Sequence, residues 1–126
     1  MGYYTWFDMG IQENKGKYKV DDIIQYMKNE YDKNDKFYPF QCAMENDEGN
    51  ESDASCFGLN CDESSKWYEH DEEMLEMSKA FPEIVFYLHG EGEESGDLWF
   101  TYYKNGKKQY CPARIEFDEY DESKLT

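Results

Sequence analysis

The sequence predicts an α+β fold, an antiparallel sheet with two helices on one face, and three observations carry that prediction. β-forming and aromatic residues dominate short runs near both ends, two stretches between them place apolar residues at helical spacing, and Asn105-Gly106 separates two β-rich runs. With 126 residues the chain is long enough for one core and too short for two, so residues 1–126 are read as a single domain.

Residues 3–11 (YYTWFDMGI) predict a first strand. Val20, Ile23, Ile24, Met27 and Tyr31 then form one apolar stripe of a helix over 20–31, with Lys28, Asn29 and Glu30 toward solvent. Phe37 to Met44 reads as a second strand, with Pro39 at its edge. The composition changes abruptly over 45–65, which holds seven acids and no Lys or Arg. This stretch reads as an acidic, cysteine-bearing loop insert at about 42–65, long enough to need a brace.

A second helix is predicted over 69–80, with Met74, Leu75, Ser78 and Phe81 on one face and Pro82 at its end. Its first turn, with Glu69, Asp71, Glu72 and Glu73, suits the positive end of the helix dipole. Ile84 to Leu88 is a continuously apolar run expected at the centre of the sheet. Leu98–Lys104 and Lys107–Phe117 flank Asn105-Gly106, whose residues tolerate the positive φ of a tight hairpin turn. Alternation in the second run puts Cys111, Ala113, Ile115 and Phe117 on one face, with Cys111 as a packed thiol. The simplest packing is a ferredoxin-like sheet extended by a C-terminal β-hairpin, with a core built largely of Tyr, Phe and Trp.

The 13 Lys+Arg against 29 Asp+Glu leave a formal charge of −16. That balance argues against direct nucleic-acid binding, which needs clustered cations to displace phosphate counterions, and against docking on an anionic membrane. The sequence has no apolar run long enough to span a bilayer and no secretory pattern at its N-terminus, and Trp6 stands where a myristoylation motif needs Ser or Thr. A reducing cytosol is therefore expected, where the four cysteines serve as thiols or metal ligands.

Cys56 and Cys61 form a C-x4-C pair, Cys42 precedes it by fourteen positions and His70 follows by nine. Four such N and S ligands would close a tetrahedral structural zinc site and brace the acidic insert. Cys111 is the rival fourth ligand, and the plain alternative for His70 is a partly exposed residue at a helix start. The glycines at 90, 92 and 96 do not form a phosphate cradle, because the carboxylates at 91, 93, 94 and 97 would repel a phosphate. The acidic run 47–53 lacks the register of a calcium loop, His89 reads as structural, and no constellation of catalytic residues stands out. The chain is expected not to be an enzyme.

The acidity has two readings. It can keep a tyrosine-rich domain soluble, for which a net charge of magnitude about 2–8 suffices. The larger excess here points instead to a docking face for a basic protein, with Asp47, Glu48, Glu91, Glu93, Glu94 and Asp97 as its candidate contacts. The acids cluster at 45–53, 62–73, 91–97 and 116–122. A nucleotide-binding sponge is the competing class, and Lys104, Lys107, Lys108 and Arg114 are the cations it would need.

The segments Met1-Gly2-Tyr3-Tyr4-Thr5, Lys66-Trp67-Tyr68-Glu69-His70-Asp71-Glu72-Glu73-Met74 and Gly90-Glu91-Gly92-Glu93-Glu94-Ser95-Gly96-Asp97-Leu98-Trp99 resemble small acidic proteins of phages and prophages. In size, charge and cysteine-bearing insert the chain looks like a phage anti-CRISPR acting on the type II-A effector Cas9. The resemblance implies a stoichiometric Cas9 inhibitor without catalytic residues, active in the host bacterial cytoplasm, that blocks DNA loading or cleavage. The insert departs from the family's pattern, so the zinc reading rests on the residues alone.

Overall fold

The computed structural model describes residues 3–16, 18–45, 58–61 and 63–126. The chain folds as an α+β structure around a five-stranded antiparallel open sheet of order β2-β1-β3-β4-β5. The strands are β1 (Thr5–Asn14), β2 (Gly58–Asn60), β3 (Ile84–Gly92), β4 (Leu98–Lys104) and β5 (Lys107–Pro112). The helices are α1 (Val20–Asn34), α2 (Gln41–Glu45) and α3 (His70–Ala80).

Strand alternation decides the two faces of the sheet. Phe7, Met9 and Ile11 of β1 stand opposite Gly90, Leu88 and Phe86 of β3, which in turn face Trp99, Thr101 and Tyr103 of β4. All nine are buried. They form one core with Val20, Ile23, Ile24 and Met27 of α1, Met44 of α2, and Met74 and Met77 of α3. The intervening residues make the opposite face, where Trp6 is 50% and Phe100 41% exposed. The core differs from the tyrosine-rich one expected: Phe, Trp, Met and Ile fill it, and Tyr103 is its only buried tyrosine among the described residues. A phenol brings a hydroxyl that must be satisfied, so the remaining tyrosines keep theirs near the surface.

Helix α1 follows its apolar stripe and runs three residues past the predicted end. The Asp22 carboxylate accepts from the Lys19 N–H at 3.0 Å at its start. At its end Asp35, in the left-handed region at φ 57°, donates its N–H to the Tyr31 carbonyl at 2.9 Å. The predicted second strand over 37–44 is instead a turn of 3-10 helix (Tyr38–Phe40) running into α2. Phe37 takes φ 60° and reverses the chain there, so Phe37, Phe40 and Met44 reach the core from turn and helix positions. The structure thus has a third helix where a strand was expected. β1 and β3 are both longer than predicted and pair along their whole length, with one irregularity between Ile11 and Glu13. β5 stops at Pro112 rather than Phe117, and Ile115 and Phe117 stand exposed beyond it. Among the described residues no helix is long and apolar enough to cross a membrane.

Candidate functional site

A cluster of carboxylates surrounds the connection between β3 and β4, and the chain after β5 returns to it. The end of β3 and the turn to β4 present Glu91, Glu93 and Glu94 as exposed residues, with Asp97 half-buried. The chain after β5 returns to this end: the Ala113 N–H donates to the Leu98 carbonyl at 2.8 Å, and Gly96 of the turn leaves room for the Ile115 side chain. The exposed acids from Glu116 to Glu122 follow. Glu91 also lies on the outer sheet face, opposite Trp6 and Leu98. Next to it, the His89 ring packs tilted by 33° against Phe100, centroids 4.5 Å apart, and its Nδ1 lies 3.5 Å from the Asp8 carboxylate. Phe100 in turn stacks on Tyr102 at 6.4 Å and 14°. Cys111 sits on this outer face opposite Phe100, half-buried, and not in the core where alternation had placed it.

Beneath the same end, on the helix side of the sheet, lies a cavity of about 260 Å3. Tyr3 enters it from the N-terminal segment, Phe7 from β1, Trp99 from β4, Tyr110 from β5, Trp67 and Tyr68 from the segment before α3, and His70 and Asp71 from the first turn of that helix. Tyr3 is pinned at the rim: its hydroxyl donates to Asp97 Oδ2 and accepts from the Glu94 N–H at 3.1 Å, while its own N–H donates to the Tyr68 hydroxyl at 2.8 Å. The bond to Asp97 raises the Tyr3 phenol above its ordinary range. A side chain on Gly92 would collide with the Tyr3–Asp97 pair, so the absence of one there lets the rim close.

The His70 ring packs between Phe7 (5.7 Å), Trp67 (6.0 Å) and Trp99 (5.3 Å). Burial lowers its pKa from the ordinary imidazole value, more than the neighbouring Asp71 raises it. Its Nδ1 is buried without a well-formed hydrogen bond, 3.4 Å from Asp71 Oδ1. Asp71 accepts from the Tyr103 hydroxyl at 2.6 Å and from Lys108 Nζ at 2.6 Å. Burial pushes the Asp71 carboxyl up, but those two donors outweigh it and hold the group below the usual carboxylate range. Burial and the Asp71 bond push the Tyr103 phenol far up.

The predicted ligands fall in different places. Cys42 is exposed on α2 beside the 3-10 turn, and Cys61 follows β2, its Sγ accepting from the Phe7 N–H at 3.0 Å. His70 walls the aromatic cavity. Cys56, Asp47 and Glu48 lie outside the described residues. Among the described residues no group of three or more His, Cys, Asp and Glu is arranged to hold a metal, so Cys42, Cys61 and His70 do not form one by themselves. The cationic cluster is divided too, because Lys108 is committed to Asp71.

Sequence reasoning missed the cavity. Its residues come from positions 3, 5, 7, 65, 67, 68, 70, 71, 97, 99 and 110, which no linear spacing joins. The available signal was the run Lys66-Trp67-Tyr68-Glu69-His70-Asp71, which packs two aromatics, an imidazole and two acids into six positions. Compared with protein-family models, curated proteins and solved structures, the chain finds no match.

Proposed function

We propose that this chain is a binding protein that inhibits a basic, nucleic-acid-handling partner by docking its acidic end on it, and that the partner is a Cas9-type nuclease. The observation that carries the reading is the run of exposed acids Glu91, Glu93 and Glu94 beside an open aromatic sheet face, at a turn to which the chain after β5 returns through Ala113 and Ile115 before its own acidic stretch begins. Carboxylates steer association with a cationic surface, and the exposed rings of Trp6 and Phe100 offer faces on which arginine guanidinium groups stack. A channel built for a guide–target duplex is such a surface. The resemblance to anti-CRISPR proteins selects this partner among basic proteins, and with it the host bacterial cytoplasm as the place of action.

The ferredoxin-like reading of the fold belongs to this proposal. The central pair β1 and β3 favours it, and the meander β3-β4-β5 departs from it. In a cleavage assay, stoichiometric protein is expected to stop DNA cutting by Cas9, and undiminished cutting at large molar excess rejects the reading. Reversing Glu91, Glu93 and Glu94 to Lys is expected to weaken binding about tenfold or more, equivalent to about 1.4 kcal/mol. Unchanged affinity in that triple variant would place the contact elsewhere.

A further inference from the structure

We propose that the aromatic cavity under the acidic end is a second binding site, one that takes an alkylated ammonium cation. The inference stands on the cavity alone and holds whether or not a nuclease is the partner. A volume of about 260 Å3 lies below the range of about 300–1,000 Å3 typical of drug-sized sites, so it suits a small head group.

The walls are the kind a cation selects. Tyr3, Tyr68, Trp99 and Tyr110 supply electron-rich rings. The charges then decide the sign of the ligand. Asp71 is balanced by Lys108, and among the described residues no Lys or Arg forms an ion pair with Asp97, whose carboxylate meets only the neutral Tyr3 hydroxyl. Asp97 therefore sets a carboxylate without a cationic partner at the rim of an aromatic lining. An anion would be repelled there, and a neutral apolar group would leave the charge unanswered. A strongly hydrated metal ion finds no three-ligand set among the described residues. A soft, weakly hydrated cation satisfies both the rings and the carboxylate.

Such a cation can be a free amine such as choline or the methylated side chain of a lysine in a protein, and the test separates the two. Trp67 and Trp99 line the cavity while Trp6 lies on the other face of the sheet, so full-length protein carrying Trp6→Phe reports on the site by fluorescence. The probes are tetramethylammonium, choline, a short peptide containing trimethyllysine, and 3,3-dimethylbutan-1-ol as the uncharged isostere of choline. Saturable quenching by the cations at constant ionic strength is expected, with choline binding about tenfold more tightly than its isostere. Tightest binding by the peptide assigns the site to a protein side chain, and tightest binding by choline assigns it to a free amine. Asp97→Asn, which keeps an acceptor for Tyr3, and Tyr110→Leu, at an exposed edge position, are each expected to weaken binding several-fold. Signals that do not saturate, equal response to the isostere, or unchanged binding in both variants would overturn the proposal.

Discussion

Asp71 is the residue on which three elements meet. From the first turn of α3 it receives the Tyr103 hydroxyl of β4 and the Lys108 ammonium of β5. Tyr103 is fully buried, so its hydroxyl needs that partner. Tyr103→Phe is expected to cost about 1–2 kcal/mol, measured by urea unfolding. Asp71→Ala should cost more, because it leaves a buried hydroxyl without its carboxylate. The folded-state pKa of Asp71 lies below its unfolded value, so its stabilisation is present above that unfolded value and is lost as pH falls through the folded one. Asp71→Asn is therefore expected to flatten the decline of Tm below about pH 4 relative to the native chain. An equally steep decline in the variant would remove Asp71 from the acid transition. Glu73, one turn away from Glu69, illustrates the opposite balance: burial raises its carboxyl even though it accepts the Phe37 N–H at 2.7 Å. That bond secures a phenylalanine held at φ 60°, a conformation costly for any residue with a side chain.

At the scale of elements, the β4–β5 turn and α3 are tied through one serine. Ser78 Oγ donates to the Leu75 carbonyl at 2.6 Å and accepts from the Gly106 N–H at 2.8 Å, so the helix caps the turn. Asn105 at φ 45° and Gly106 at φ 78° supply the two positive dihedrals that Asn-Gly promises. Ser78→Ala is expected to lower the urea midpoint by an amount equivalent to about 1–3 kcal/mol with an unchanged m-value, since it strands a backbone donor. Gly106→Ala should cost about 1 kcal/mol, mainly through its positive φ, because the nearby Lys79 side chain can move aside. The segment from Phe37 to Met44 marks where local reading failed. Its aromatic residues favour a strand by propensity, but the left-handed Phe37 and the following Pro39 turn the backbone into helix, and the core rewards that arrangement. The zinc expectation also belongs to this scale, and we carry it forward as a proposal. Elemental analysis should find about one zinc per chain on Cys42, Cys56, Cys61 and His70, with His70→Ala lowering the metal content and Cys111→Ser leaving it unchanged. Metal-free purified protein would refute it.

Over the whole molecule, charge and shape point the same way. A net charge of −16 makes association with a basic partner sensitive to salt, so the association rate is expected to fall more than about tenfold between 50 and 500 mM salt while the folded structure persists. A rate independent of salt would reduce the acidity to a solvent coat. The chain's own order dictated what depends on neighbours in sequence: the α1 stripe from Val20 to Met27, the acid-rich start of α3, the apolar β3 and the turn at Asn105-Gly106. These are legible because period, capping and turn chemistry act over a few residues. Only the tertiary structure decided which acids share a face, that Glu73 and Asp71 turn inward, that Cys111 lies outside the core, and that Tyr3, His70, Asp97, Trp99 and Tyr110 enclose one cavity. Those facts arise from strand order and register, which bring together residues more than a hundred positions apart and leave no periodic trace along the chain.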